Sequence, residues 1–285
     1  MQFINTETQL CAVIGNPVKH SLSPAMHNAA FQHCRLNYVY LAFEICEVRD
    51  FLQGMRSMPN FRGVSVTIPH KLTVMDALDE IDSLALQIGS VNTILQQGGR
   101  LIGSNTDGSG TLRAFDEAGI SLESKKIVFL GGGGAVRAVS FAMATRKPAA
   151  ITLLGRTPEK LFGLADDLRK HHPVPVETGN LTADLETFVG PADIVINGTP
   201  LGMYPDQVAL TPAPGELLQT HQVVFDMVYR PQHTRLLQEA EAKGCTTLYG
   251  LEMLLNQASL QFETWTGESA PVSVMRDALL AALEP

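Results

Sequence analysis

The sequence predicts an α/β protein with two domains, each organised around a largely parallel β-sheet. Short apolar runs alternate with helical stretches along most of the 285 residues, which is typical of parallel sheets covered by helices. This length exceeds the roughly 100–200 residues of a typical single domain. A glycine turn at 131–134 separates the buried apolar run 127–130 from a helix that begins at Ala135. Strand, glycine turn and helix together predict a doubly wound, Rossmann-like second domain.

Each element is predicted from a local pattern of apolar and turn residues. In the first domain these patterns give strands at 10–14, 38–43 and 62–68, a hairpin over 94–103, and helices at 24–34 and 48–58. A further helix opens within 104–110 and continues to about 118, where the first domain gives way to the second. In the second they give strands at 127–130, 150–154, 192–196, 223–227 and 246–248, and helices at 135–145 and 234–243. We expect domains at 1–106 and 107–251. The helices of 252–285 are expected to complete the first domain.

Composition and charge exclude several classes of partner. The net charge is −8 and no basic cluster is present, so nucleic acid and anionic membrane surfaces are not expected partners. No apolar run approaches membrane-spanning length, and the first residues, 1–6, lack the features of a signal peptide. The four cysteines show no paired short spacing, which predicts reduced thiols, no metal site and a cytoplasmic location.

The glycine turn indicates a dinucleotide site, although a turn without a ligand remains an alternative. Gly131 and Gly133 fit the first two positions of G-x-G-x-x-G, but Val136 occupies the third. The next predicted strand ends without the acidic residue that commonly binds the ribose of NAD. Instead it is followed by polar residues that can bind the 2′-phosphate of NADP: Arg156, Thr157 and Lys160. Alternatively, Thr157 and Pro158 begin a helix and the charged side chains are merely solvated.

Polar residues that follow the strands of the first domain predict a second ligand site. Ser21 and Ser23 are a plausible pair of donors to a carboxylate, although Ser23 before Pro24 also fits a helix N-cap. Thr67 and Lys71 follow another strand, where Lys71 is alternatively an exposed lysine in the first turn of a helix. Asn92 and Asp107 are two further candidates for ligand binding in this region. Alternatively, Asn92 is a hydrogen-bonded turn amide and Asp107 is an N-cap or turn aspartate.

Taken together, the motifs resemble those of the shikimate dehydrogenase family over nearly the whole chain. The matching segments are GNPVKHSLSP, GVSVTIPHK, IGSVNTI, SNTDG, GGGGAVRA, GRT, NGTPLGM, FDMVY and YGLEMLLNQA. The resemblance implies two α/β domains with a cleft between them. It also implies NADPH-dependent, reversible reduction of 3-dehydroshikimate to shikimate in aromatic amino-acid biosynthesis.

The resemblance also implies roles for individual residues. Lys71 corresponds to the acid/base, and Asp107 to its catalytic partner. Substrate-binding positions fall on Ser21, Ser23, Thr67, Asn92, Asp107, Tyr229 and Gln257. Cofactor-binding positions fall on Gly131, Gly132, Gly133, Gly134, Ala135, Arg156, Thr157, Lys160, Met227 and Gly250. The protein is expected to be a monomer or homodimer that binds only these small molecules.

One departure from the family pattern leaves rival functions open. The family's phosphate motif usually begins with Asn, whereas Gly155 stands here and removes an amide hydrogen bond. One alternative is therefore an NAD-preferring quinate/shikimate dehydrogenase. Another is a catalytically silent NADP-binding paralogue, which the retention of Lys71 and Asp107 argues against.

Overall fold

The computed structural model describes residues 4–283, which divide into two compact units. One contains the chain up to Thr106 and from Leu255 onward, and the other contains Asp107–Leu254. Residues 1–3 and 284–285, the outermost residues of the expected domains, lie outside the described residues. Residues 1–3 also belong to the segment 1–6, in which no signal peptide is predicted.

The first unit contains a mixed six-stranded sheet. Its strands are β1 (Gln9–Gly15), β2 (Tyr38–Glu44), β3 (Phe61–Val66), β4 (Glu80–Ile81), β5 (Thr93–Gln97) and β6 (Arg100–Ser104). Its first helices are α1 (Ser23–His33), α2 (Val48–Arg56) and α3 (Ser83–Ile88). The strand order is β2-β1-β3-β5-β6-β4. Parallel pairing joins β1 to β2 and β3, while β5 and β6 form the predicted antiparallel hairpin.

The second unit contains a fully parallel sheet. Its strands are β7 (Lys126–Leu130), β8 (Ala150–Gly155), β9 (Val176–Asn180), β10 (Ile194–Asn197), β11 (Val223–Asp226) and β12 (Thr246–Tyr249). Its helices are α4 (Thr106–Glu117), α5 (Gly134–Ala144), α6 (Phe162–His171), α7 (Leu185–Val189) and α8 (Arg235–Ala242). Two further helices follow: α9 (Gly250–Thr266) and α10 (Val272–Leu283).

The order of this sheet is β12-β11-β10-β7-β8-β9, the doubly wound arrangement in which the winding reverses between β7 and β10. The predicted α/β fold class is therefore confirmed. The sequence pattern gives no element between 160 and 192, yet α6, α7 and β9 form there, and β9 is the edge partner of β8. Its sequence, Val-Glu-Thr-Gly-Asn, has one apolar residue, so pairing rather than local pattern defines this strand.

An aromatic core fills one side of the first unit's sheet and encloses a histidine. His27 of α1 is fully buried and stacks on Tyr40 with 4.4 Å between ring centroids. Its ring centroid lies 5.2 Å from that of Trp265. Neither ring nitrogen has a hydrogen-bond partner. Burial lowers the pKa of His27 to about 3, against an opposing effect of the Gln261 side chain.

We predict that His27 makes stability fall in acid. The unfolded chain takes up a proton near pH 6.5 and the folded chain only near pH 3, so the folded state loses stability as pH falls through this window. His27→Leu removes that difference. The variant's free energy of unfolding in urea, relative to the parent's, should rise by about 1.4 kcal/mol for each pH unit between pH 6.5 and about 3. If the free energies of unfolding of the two proteins changed equally with pH, the predicted role of His27 would be refuted.

Candidate active site

Two loops of the first unit are joined at the carboxyl ends of β1 and β3. Because these strands are parallel neighbours, their following loops emerge at the same edge of the sheet. The Thr67 N–H donates to Ile14 O at 2.9 Å, and the Asn16 N–H donates to Ile68 O at 3.0 Å. The serine-containing loop and the lysine-containing turn therefore begin side by side.

Backbone hydrogen bonds bring Lys71 and Asn92 to this same edge. The Val91 N–H donates to Lys71 O at 2.9 Å, and the Val66 N–H donates to Asn92 O at 2.7 Å. The alternative that Lys71 lies in the first turn of a helix is wrong, because residues 68–74 form successive turns before a short 3₁₀ helix, Met75–Ala77. Lys71 is half-buried there.

Ser21 and Ser23 occupy the end of the first loop. The alternative capping role of Ser23 is wrong: Leu22 is the N-cap of α1, no side chain caps the helix, and Ser23 is its first residue. The Ser23 N–H instead donates to Ser21 Oγ at 3.4 Å. Ser23 is buried and Ser21 is half-buried. The Ser21 hydroxyl thus lies beside the backbone of Ser23 where α1 begins.

The start of α4 is tied to Asn92. The Thr106 N–H donates to Asn92 Oδ1 at 2.8 Å, and Asn92 Nδ2 donates to Thr106 Oγ1 at 3.1 Å. Asp107 is the acidic residue in the first turn of α4 and is half-buried. The first unit also contains the buried Gln257 of α9.

In the second unit, the glycine turn after β7 lies against the loop after β10. The Gly198 N–H donates to Leu130 O at 2.8 Å, which places the two loops at the point where the winding reverses. Gly131 has φ of 110°, and a Cβ there would lie 3.0 Å from Gly198 O. The following residues are exposed: Gly132, Gly133, Gly134 and Ala135.

A dinucleotide fits this arrangement of residues. Gly133 is the N-cap of α5, whose first-turn N–H groups have no helical acceptors and favour an anion. The strand β8 ends at Gly155, and no acidic residue follows it before Glu159. Three exposed residues beyond the strand can contact a phosphate: Arg156, Thr157 and Lys160. Thr157 is the N-cap of the 3₁₀ helix Pro158–Leu161, but its side chain makes no capping hydrogen bond.

A buried polar group that sequence reasoning missed anchors the loops after β10 and β11. Asp226 Oδ1 accepts hydrogen bonds from Asn197 Nδ2 and the Val228 N–H, and Oδ2 accepts from Thr234 Oγ1 at 2.6 Å. Burial raises the pKa of Asp226 to about 6, against these three hydrogen bonds. Two polar residues that end consecutive buried strands, Asn197 and Asp226, were the available sequence signal.

Two predicted cofactor positions lie beside this polar group. Met227 follows Asp226 directly and is half-buried, and its N–H donates to Asn197 O at 3.0 Å. Gly250 begins α9, and a Cβ there would lie 2.6 Å from Val228 O, so only glycine allows this approach. Tyr229, the predicted substrate residue of this unit, is 36% exposed.

Residues 4–283 contain no group of three His, Cys, Asp or Glu side chains placed to hold a metal ion. Within the same range, no helix combines the length and apolarity needed to cross a membrane. The four cysteines are free, and Cys46 is exposed.

The fold and these loops define a two-unit α/β protein with a dinucleotide-type sheet, and comparison with known proteins identifies its family. Residues 13–94 match the shikimate dehydrogenase substrate binding domain, and residues 250–280 match the shikimate 5′-dehydrogenase C-terminal domain. The shikimate dehydrogenase (NADP(+)) of Moorella thermoacetica is 44% identical over 283 residues, which cover 98% of this chain and 95% of the relative.

Solved structures are also similar to this chain over nearly its whole length. Shikimate 5-dehydrogenase of Listeria monocytogenes, solved with shikimate and NAD, has a TM-score of 0.92 at 35% identity and covers 97% of this chain and 98% of its own. The Thermus thermophilus enzyme, solved with NADP(H) and shikimate, has a TM-score of 0.85 at 36% identity and covers 96% and 100%. The chain belongs to the shikimate dehydrogenase family, as its motifs predicted.

We predict different effects of alanine on stability at two positions of the glycine turn. Gly131→Ala should lower the free energy of unfolding by about 1–3 kcal/mol, because positive φ is strained for alanine and Gly198 O crowds its Cβ. Gly134→Ala is the control, since open space surrounds that position within α5, and it should leave stability unchanged or slightly raised. Urea unfolding measures both; equal effects would contradict the strained geometry.

Proposed function

We propose that this protein is an NADP-dependent shikimate dehydrogenase that interconverts 3-dehydroshikimate and shikimate in the biosynthesis of aromatic compounds. The observation that carries the proposal is the convergence of Thr67, Lys71 and Asn92 on one sheet edge in a chain of this family. Such an edge is where open α/β sheets bind ligands. The proposed location is the cytoplasm, and the proposed assembly is a monomer or homodimer.

The proposed division of labour follows the two units. We assign substrate binding to residues 1–106 with 252–285, and NADP binding to residues 107–251. The hydroxyls of Ser21 and Ser23 would hold the substrate carboxylate, since neighbouring donors suit a planar anion. The ring hydroxyls would be bound by five polar side chains: Thr67, Asn92, Asp107, Tyr229 and Gln257.

Lys71 and Asp107 are assigned as the catalytic pair. When bound, the nicotinamide supplies or accepts the hydride. Negative charge then develops on the substrate oxygen during reduction, and the ammonium of Lys71 stabilises this charge and donates the proton. In the reverse direction the neutral amine accepts the hydroxyl proton. Asp107 would bond a substrate hydroxyl and so fix the ring for proton transfer.

The cofactor proposal assigns residues to each part of NADP. The pyrophosphate would bind the glycine turn, Gly131–Gly134 and Ala135, at the start of α5. The 2′-phosphate would be bound by Arg156, Thr157 and Lys160, whose exposed positions after β8 suit an anion. Met227 and Gly250 would line the nicotinamide.

A second candidate is an NAD-preferring shikimate or quinate dehydrogenase. It is favoured by the Listeria monocytogenes relative, which was solved with NAD, and by Gly155, which supplies no side chain where β8 ends. The absence of an acid at this strand end argues for NADP, since NAD sites commonly bind the ribose through one.

The assay that tests the proposal follows reduced nicotinamide with shikimate or quinate and with NADP⁺ or NAD⁺. We expect the highest kcat/KM for shikimate with NADP⁺. Arg156→Ala should raise the KM for NADP⁺ with little change for NAD⁺, because the lost contact is to the 2′-phosphate. A higher kcat/KM with NAD⁺ or quinate would favour the second candidate, and no turnover with any pair would refute both.

We predict that Lys71→Ala lowers kcat by about 10²–10⁴-fold, the usual contribution of a general acid or base. The exposed Lys243, which follows α8, provides the matched control, and Lys243→Ala should leave kcat unchanged. Steady-state rates at saturating shikimate and NADP⁺ make the comparison. Full turnover by the Lys71 variant would remove this residue from the mechanism.

A further inference from the structure

A chain of buried hydrogen bonds crosses the first unit and ends on Asn92. The Tyr40 hydroxyl donates to Ser65 Oγ at 2.6 Å, and the Ser65 hydroxyl donates to Gln261 Oε1 at 2.8 Å. From the other end of the same carboxamide, Gln261 Nε2 donates to Thr93 Oγ1 at 2.9 Å. The Thr93 hydroxyl then donates to Asn92 Oδ1 at 2.7 Å. The chain therefore connects β2, β3, α9 and β5.

The direction of the hydrogen bonds in this chain follows from a second contact of Gln261. Gln261 Nε2 also donates to the backbone oxygen of Asn92 at 3.3 Å, and a carbonyl oxygen can only accept. The nitrogen of Gln261 must therefore face β5 and its oxygen must face Ser65. Thr93 accepts from Gln261 and donates its single hydroxyl hydrogen to Asn92 Oδ1 at 2.7 Å, a nearer acceptor than Thr106 Oγ1 at 3.1 Å. Each donor is thus oriented by the one before it.

The end of the chain fixes the carboxamide of Asn92. Its Oδ1 accepts from the Thr93 hydroxyl and from the Thr106 N–H, while Nδ2 donates to Thr106 Oγ1. Reversing this carboxamide would direct two N–H donors at the hydrogens of Thr93 and Thr106. Because the same Thr106 begins α4, the orientation of Asn92 is coupled to the backbone that immediately precedes Asp107.

The degree of burial indicates what this polar chain contributes. Exposure is 1% for Tyr40 and Gln261, 0% for Thr93 and 2% for Asn92. Burial raises the pKa of the Tyr40 hydroxyl, against the opposing effect of the Ser65 and Ser23 hydroxyls. Buried polar networks are a costly way to stabilise a core compared with apolar packing, but a fully hydrogen-bonded network specifies one geometry.

We propose that Gln261 and Thr93 are positioning residues that hold the carboxamide of Asn92 in the orientation that binds substrate. The inference rests on the proposed function, in which Asn92 binds a ring hydroxyl. Neither residue touches substrate in this account. Gln261 orients Thr93, and Thr93 orients Asn92, so substitutions of either residue produce the same defect.

Kinetics with shikimate tests this positioning role. Gln261→Met and Thr93→Val keep side-chain size but remove the hydrogen bonds, and each should raise the KM for shikimate about 3- to 10-fold. The KM for NADP⁺ should not change, and kcat should fall less than threefold. The double variant should be no worse than either single variant, because both interrupt one chain. Unchanged KM in both single variants would overturn the proposal.

Two further variants distinguish positioning from a loss of stability. Thr93→Ser retains the hydroxyl and should keep the parental KM. Trp265→Phe removes another buried hydrogen bond between α9 and β5, from Trp265 Nε1 to Ile94 O at 3.1 Å, without touching Asn92. It should lower the melting temperature with the KM within twofold of the parent. An equal rise in KM for Trp265→Phe would assign the effect to packing and overturn the proposal.

A spectroscopic measurement decides the inference without any activity. In ¹⁵N-labelled protein, Gln261→Met and Thr93→Val should shift the side-chain amide resonances of Asn92. Those of Asn105, which donates separately to Ser90 O at 3.0 Å, should stay unchanged. Unshifted Asn92 resonances would refute positioning. Shifted Asn92 resonances in a protein that does not oxidise shikimate would support positioning while refuting the proposed function.

Discussion

Parallel pairing of neighbouring strands is the constraint on which both proposed binding regions depend. In the first unit, pairing of β1 with β3 places the loops that contain Ser21 and Lys71 at one edge of the sheet. In the second unit, pairing of β7 with β10 places the glycine turn against Gly198. Residues that are far apart in sequence become neighbours because parallel strands end together.

Buried polar groups add specificity to what strand pairing provides. Asp226 and Asn197 connect the loops after β10 and β11, and the chain through Gln261 fixes Asn92. The first network lies in the proposed cofactor unit and the second in the proposed substrate unit. In each, a loop that is only loosely defined by the sheet acquires one geometry, because its buried donors and acceptors must be matched.

The sequence predicted most elements with a strong local pattern but missed strand β9, which is defined by pairing, and the helices α3, α6 and α7. The glycine turn, the hairpin and the family were predicted, and the fold and the comparisons confirm them. Strand β9 was missed because its residues have no apolar pattern of their own. The helical interpretation of Lys71 was wrong because residues 68–74 form turns, and the capping role of Ser23 was wrong because α1 begins one residue earlier than Pro24 indicates, at Ser23 itself. The roles of individual site residues stay predictions.

The most direct test of the account is a crystal structure of the protein with shikimate and NADP⁺ bound. We predict that a ring hydroxyl contacts the carboxamide of Asn92, that Lys71 Nζ lies within hydrogen-bond distance of the oxygen that is oxidised, and that Arg156 contacts the 2′-phosphate. Shikimate bound without contact to Asn92 or Lys71, or a 2′-phosphate directed away from Arg156, would contradict the account.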